Sequence, residues 1–136
     1  MSINFSDQDK RTLRTAAYGA VSLVAAAGAA GGSPHRIATN GSIALASATG
    51  PVGHVLGARS GGMDLSGKSV AEIADHVLPA LTAAMDLLKK QDPAEADNFR
   101  GIVMIAIETA TQGGKSEPSP TIAEMVRKIT AALDAA

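Results

Sequence analysis

Eight residues of this chain satisfy, at every fixed position, the pattern of a phosphate-binding loop: Gly62-Met63-Asp64-Leu65-Ser66-Gly67-Lys68-Ser69. In such a site the backbone N–H groups hold phosphate, while Lys68 would reach the outer phosphates and Ser69 would bind Mg²⁺. The apolar run from Ile102 to Ile107, closed by Glu108, even imitates the acidic strand that accompanies these loops. The context rejects the match. A phosphate-binding loop of this kind sits between a strand and a helix of a parallel sheet, and no β-rich run precedes Gly62. The run from Ile102 to Glu108 carries a helical pattern instead. Glycines in a loop followed by Ser69 as a helix N-cap account for the same residues, so nucleotide hydrolysis is not expected.

The remaining reactive side chains do not assemble into a site on sequence spacing. His35, His54 and His76 are the only histidines, and no two share a metal-ligand spacing on one helix. There is no cysteine, hence no thiolate zinc site and no cysteine nucleophile. Arg59-Ser60-Gly61 lacks the Gly-x-Ser-x-Gly frame of a nucleophilic serine. Asp92 and Glu95 read as a helix start before they read as an acid/base pair. Lys10, Arg11 and Arg14 are followed by no stacking aromatic except Tyr18, which suits the solvated face of a helix better than a nucleic-acid site. No catalytic, cofactor-binding or metal-ligating residue is expected, and the chain reads as something other than an enzyme.

The elements that would position any site must come from a core poor in aromatic residues. The 136 residues, read as a single domain over 1–136, include two Phe, one Tyr and no Trp. Leu, Ile and Val therefore carry the core, with close, alanine-mediated helix contacts. Twelve basic and thirteen acidic residues leave a net charge of −1, so no overall field favours nucleic acid or an anionic membrane.

The charges are unevenly placed. From Thr15 to Ala58 the only formally charged side chain is Arg36. A helix with one face in water normally carries charge there, so this half reads either as a merely neutral Ala/Ser/Gly/Thr surface or as a face covered by a partner or by a second copy of the chain. Its first part, Thr15 to His35, approaches a membrane span or secretory signal in length. Asp7 and Asp9 precede it, however, and Val21, Leu23 and Val24 are its only strong apolar residues. Neither a span nor a signal is expected, and a cytoplasmic location is.

Taken in order, Ser6 reads as the cap of a first helix from about Asp7 to Ala29, with Leu13, Ala17, Ala20, Val21, Val24 and Ala27 at three- and four-residue steps. Between His35 and Thr49, Asn40-Gly41 signals a hairpin. A hairpin there would have no consistent apolar face, whereas Ile37, Gly41, Leu45 and Ala48 form one helical stripe, and helix is the preferred assignment. Val52, Val55 and Leu56 suggest a short helix. Ser69 to Glu72 form a capping-box pattern before a helix carrying Val70, Ile73, Val77, Leu81, Ala84 and Leu88, with a kink expected at Pro79. Asp92 to Gln112 is apolar nearly all round, with Phe99, Val103, Ala106 and Ala110 on one face, and reads as the central helix of the fold. Ser119-Pro120 opens the last helix, with Ile122, Val126, Ile129 and Leu133 inward.

Two further patterns bear on the architecture. Gly19 to Gly32 matches Gly101 to Gly114 without a gap, each followed by a Ser-Pro, which would make two equivalent helix hairpins in a pseudo-symmetric bundle. A long apolar helix, a glycine turn and another helix opening at Ser or Pro with a following Glu, here Glu124, also resemble the tellurite-resistance TerB-like domains. The resemblance covers Gly101 to Leu133 best and Ala16 to Ile37 more weakly. It implies an all-helical fold and, in that family, a metal-dependent stress role. The acidic residues that would bind metal before the glycine turn are replaced here by Ala110, Thr111 and Gln112, so the resemblance implies likeness of fold without metal binding.

These patterns lead to an all-α bundle of five to six helices. The expected function is that of a non-catalytic interaction or accessory subunit, docking on itself or on a larger partner through Ile37, Ile43, Leu45, Val52, Val55 and Leu56. The alternatives are a TerB-like metal or tellurite stress protein and a binder of an apolar small molecule between helices.

Overall fold

The computed structural model describes residues 5–27, 43–45, 50–58, 70–111 and 120–136. Every regular element among them is helical: α1 (Asp7–Ala27), α2 (Gly50–Ala58), α3 (Val70–Gln91), α4 (Pro93–Thr111) and α5 (Pro120–Asp134), with one further helical stretch at 43–45. The fold is an all-α bundle whose described helices share one hydrophobic core.

Local chemistry sets the helix boundaries. At the start of α1, Ser6 and Asp9 form a reciprocal capping box, with Asp9 N–H donating to Ser6 Oγ at 3.0 Å and Ser6 N–H to Asp9 Oδ2 at 3.2 Å. A single residue separates α3 from α4. Asp92 N–H closes the last turn of α3 on the Leu88 carbonyl at 2.7 Å, and its own Oδ1 accepts from Ala94 N–H at 3.0 Å to cap α4. Pro93, at the first position of α4, has no N–H to leave unsatisfied there. Helix α3 runs through Pro79, which deprives the Asp75 carbonyl of its helical donor.

The inward faces of the later helices follow their periodicity. In α3, Ile73, Val77, Leu81, Ala84, Met85 and Leu88 are buried, and in α5 Ile122, Met125, Ile129 and Leu133. Val126, expected inward, is half-buried, and Met125 takes the deeper place.

The most enclosed helix is α1, which corrects the expectation that the Asp92 to Gln112 helix is the centre. Every residue from Thr15 to Val21 is buried, followed by Leu23, Val24, Ala25 and Ala27. Helix α1 packs against all four other helices, and most extensively against α3. The apolar far side of α4 instead meets water: Ile105 is 60% exposed, beside exposed Glu108 and Thr109. Alanine explains the exchange of roles. A helix of small side chains lets its neighbours approach closely, whereas among the described side chains of the bulkier α4 those buried are Ala96, Phe99, Val103, Ala106 and Ile107.

Closest approach falls at Gly19. A β-carbon there would run into the Val77 side chain, lying 3.0 Å from Cγ1 and closer still to Cγ2. At Gly101, its counterpart in the sequence repeat, a β-carbon would meet nothing within 4 Å. The two glycines are therefore not equivalent in packing.

Candidate functional site

The structure divides the six residues expected to form a partner interface. Leu45, Val55 and Leu56 belong to the core of this chain, at 5% exposure or less, so they cannot meet a partner without opening the bundle. This corrects their assignment to a partner interface. The cause is packing: α2 lies on α1 and α4, and its apolar residues are consumed in those contacts. Ile43 is the exposed member, at 60%. Ile37 and the Val52 side chain lie outside the described residues, as do the loop Gly62 to Ser69, His35 and the Asn40-Gly41 step. The helical state of residues 43–45 agrees with the preferred assignment for that part of the segment.

Charge scarcity in α1 has the same origin. From Thr15 to Ala27 the helix is mostly enclosed by its own bundle, so an ionised side chain would have to be desolvated there. That portion of the charge-poor stretch is explained without a partner.

Helix α2 is held at its C-terminal end by polar side chains of α1 and is closely approached at its start by polar side chains of α4. The last carbonyls of a helix have no intrahelical donors. Here Arg14 Nε donates to the Val55 carbonyl at 3.1 Å and the buried Tyr18 hydroxyl donates to the Leu56 carbonyl at 2.8 Å. The Arg14 cation also meets the negative end of the α2 dipole. At the other end, Gly50 has φ of 85°. The Glu95 carboxylate and the Asn98 amide lie against it, so that a β-carbon at Gly50 would stand 3.0 Å from Asn98 Nδ2. Arg14, which the sequence presents on a solvated face, and Tyr18 thus serve as anchors, and no local pattern reveals carbonyls so distant along the chain.

An open groove of about 700 Å³ lies between the first half of α1 and the middle of α3. Asp7, Gln8, Arg11, Thr12 and Thr15 line it from α1, and His76, Pro79, Ala80 and Ala83 from α3. Thr15, at 8% exposure, is the buried polar residue among those described. Its hydroxyl forms no hydrogen bond among the described residues, yet no buried side-chain oxygen or nitrogen there is both sealed and unpartnered. The Thr15 hydroxyl is therefore not sealed from solvent. Thr12 uses its hydroxyl proton on the Gln8 carbonyl, at 3.0 Å. Charged and hydroxyl-bearing walls make this groove unlike the apolar pocket expected between helices.

The other polar groups are structural or dispersed. Arg100 pairs with Asp134 at 3.0 Å, Thr82 Oγ1 donates to the Ala132 carbonyl at 2.7 Å and Lys89 Nζ to the Ala136 carbonyl at 2.7 Å, which ties the end of α5 to α3 and α4. His54 and His76 are exposed on separate helices. Among the described residues, no three His, Cys, Asp or Glu are grouped to hold a metal ion, and no helix is long and apolar enough to cross a membrane. No family model, no curated protein and no solved structure matches this chain.

Proposed function

We propose that this chain is a small, non-catalytic, cytoplasmic interaction subunit that buries the surface around Ile43 against a protein partner, first of all a second copy of itself. The observation that supports this is the 60% exposure of Ile43 within the stretch from Thr15 to Ala58, where Arg36 is the only charged residue. Ile105 is equally exposed, but exposed Glu108 and Asp97 share its helix and keep that face wet. Along the chain from Thr15 to Ala58 there is little charge to desolvate on association. Covering a large aliphatic side chain contributes roughly 1.5 to 3 kcal/mol when burial is complete. Ile43 would then be the anchor of a wider contact, since stable interfaces cover about 800 Å² on each partner.

Sedimentation velocity across a concentration series tests the proposal. The unaltered chain should associate reversibly, and Ile43→Asp should sediment as a monomer with unchanged helix content. A chain that stays monomeric at every concentration and retains no partner through purification would remove it.

A further inference from the structure

We propose that Met104 is a site of reversible oxidation by hydrogen peroxide, and that the Thr130 hydroxyl receives the sulfoxide oxygen. Of the five methionines in the chain, Met85, Met104 and Met125 lie among the described residues. Met85 and Met125 belong to the core, at 3% and 6% exposure. Met104 is half-buried and packs against that core from α4, so it is the described thioether that an oxidant can reach without opening the bundle.

Its sulfur meets a hydroxyl on the neighbouring helix. Thr130 Oγ1 lies 3.8 Å from Met104 Sδ and donates to the Val126 carbonyl at 2.9 Å. A thioether is a weak acceptor, so in the reduced chain the proton stays with the carbonyl. Oxidation reverses that preference. The Met104 sulfur gives an electron pair to one peroxide oxygen, an S–O bond forms as the O–O bond breaks, and the departing oxygen leaves with both peroxide protons as water. The sulfoxide oxygen is a strong acceptor, attached to an atom already beside the hydroxyl. Turning to it strands nothing, because the Val126 carbonyl lies within α5 and still accepts the Thr130 backbone N–H.

Room for the added oxygen comes from the same place. The contact between α4 and α5 is the least extensive of the helix contacts among the described residues. A polar oxygen at that seam meets less packed surface than one at Met85 or Met125, where it would sit in the apolar core. Oxidised Met104 is therefore tolerated as a mark on a folded chain, and the oxygen stays within reach of a sulfoxide reductase.

The test exposes the folded chain to hydrogen peroxide and follows each methionine by peptide mass spectrometry. Met104 should gain one oxygen on the order of tenfold faster than Met85 and Met125, and treatment with both classes of methionine sulfoxide reductase should remove it. Thermal unfolding before and after oxidation tests Thr130, with Met104→Leu subtracting what Met1 and Met63 contribute. Oxidation of Met104 should lower Tm by about 3 °C more in Thr130→Val than in the unaltered chain, and Thr130→Ser should behave as the unaltered chain does. The proposal is overturned if Met85 or Met125 oxidises as fast as Met104, if the reductases leave the oxygen in place, or if oxidation lowers Tm equally in Thr130→Val and the unaltered chain.

Discussion

The Tyr18 hydroxyl donates to the Leu56 carbonyl at 2.8 Å, joining the most enclosed helix of the bundle to the end of its shortest one. Both residues are buried, so removing the hydroxyl strands a carbonyl that water cannot easily reach. Tyr18→Phe should therefore cost about 1 to 3 kcal/mol in urea unfolding, with the slope unchanged. Amide exchange in α2 should quicken more than in α5. An unchanged midpoint would mean that the contact contributes nothing to holding α2.

Gly19 and Gly101 should respond in opposite directions to the same substitution. Gly19→Ala gains helix propensity but drives a methyl group into Val77, and overpacking of this kind costs about 1 to 3 kcal/mol. Gly101→Ala has open space and should stabilise by up to about 1 kcal/mol. Combining Gly19→Ala with Val77→Ala should recover part of the first loss. Thermal unfolding of these variants beside the unaltered protein checks this, and equal responses at the two glycines would restore the equivalence that the sequence repeat suggests.

Much of the architecture is legible in the sequence because it rests on short-range rules. Ser6 and Asp9 announce the start of α1, Asp92-Pro93 the start of α4 and Ser119-Pro120 that of α5, and the apolar steps in α3 identify its inward face. What the sequence conceals depends on partners distant along the chain. Ile105 resembles a core residue by type, and only its place on the outward side of α4 leaves it in water. Uncharged surface and enclosed core are written with the same alanines, so the stretch after Thr15 resembles a docking face. The groove is hidden for a related reason: Arg11 and Thr15 share a helix face, but nothing local places His76 opposite them.

The ion pair between Arg100 and Asp134 should matter little despite its 3.0 Å geometry, because both side chains are substantially exposed. Arg100→Ala should change stability by less than about 1 kcal/mol, and salt should reduce even that. Thr82→Val, which removes the donor to the Ala132 carbonyl in a half-buried setting, should cost about as much or more. Urea unfolding at low and high salt compares the two, and a larger, salt-sensitive loss for Arg100→Ala would show the pair to be better shielded than its exposure implies.

Ile43 and Leu45 stand two residues apart in one helical stretch, the first 60% exposed and the second fully buried. That division is what separates the core of the charge-poor half from its proposed docking surface. The most direct measurement is the urea unfolding of Ile43→Asp beside Leu45→Asp, each at a concentration where the unaltered chain is monomeric. Ile43→Asp should lie within about 0.5 kcal/mol of the unaltered protein, as surface substitutions do. Leu45→Asp, which buries an unpaired carboxylate, should lose several kcal/mol or fail to fold. Equal destabilisation by the two would place Ile43 in the core as well and contradict the proposed surface.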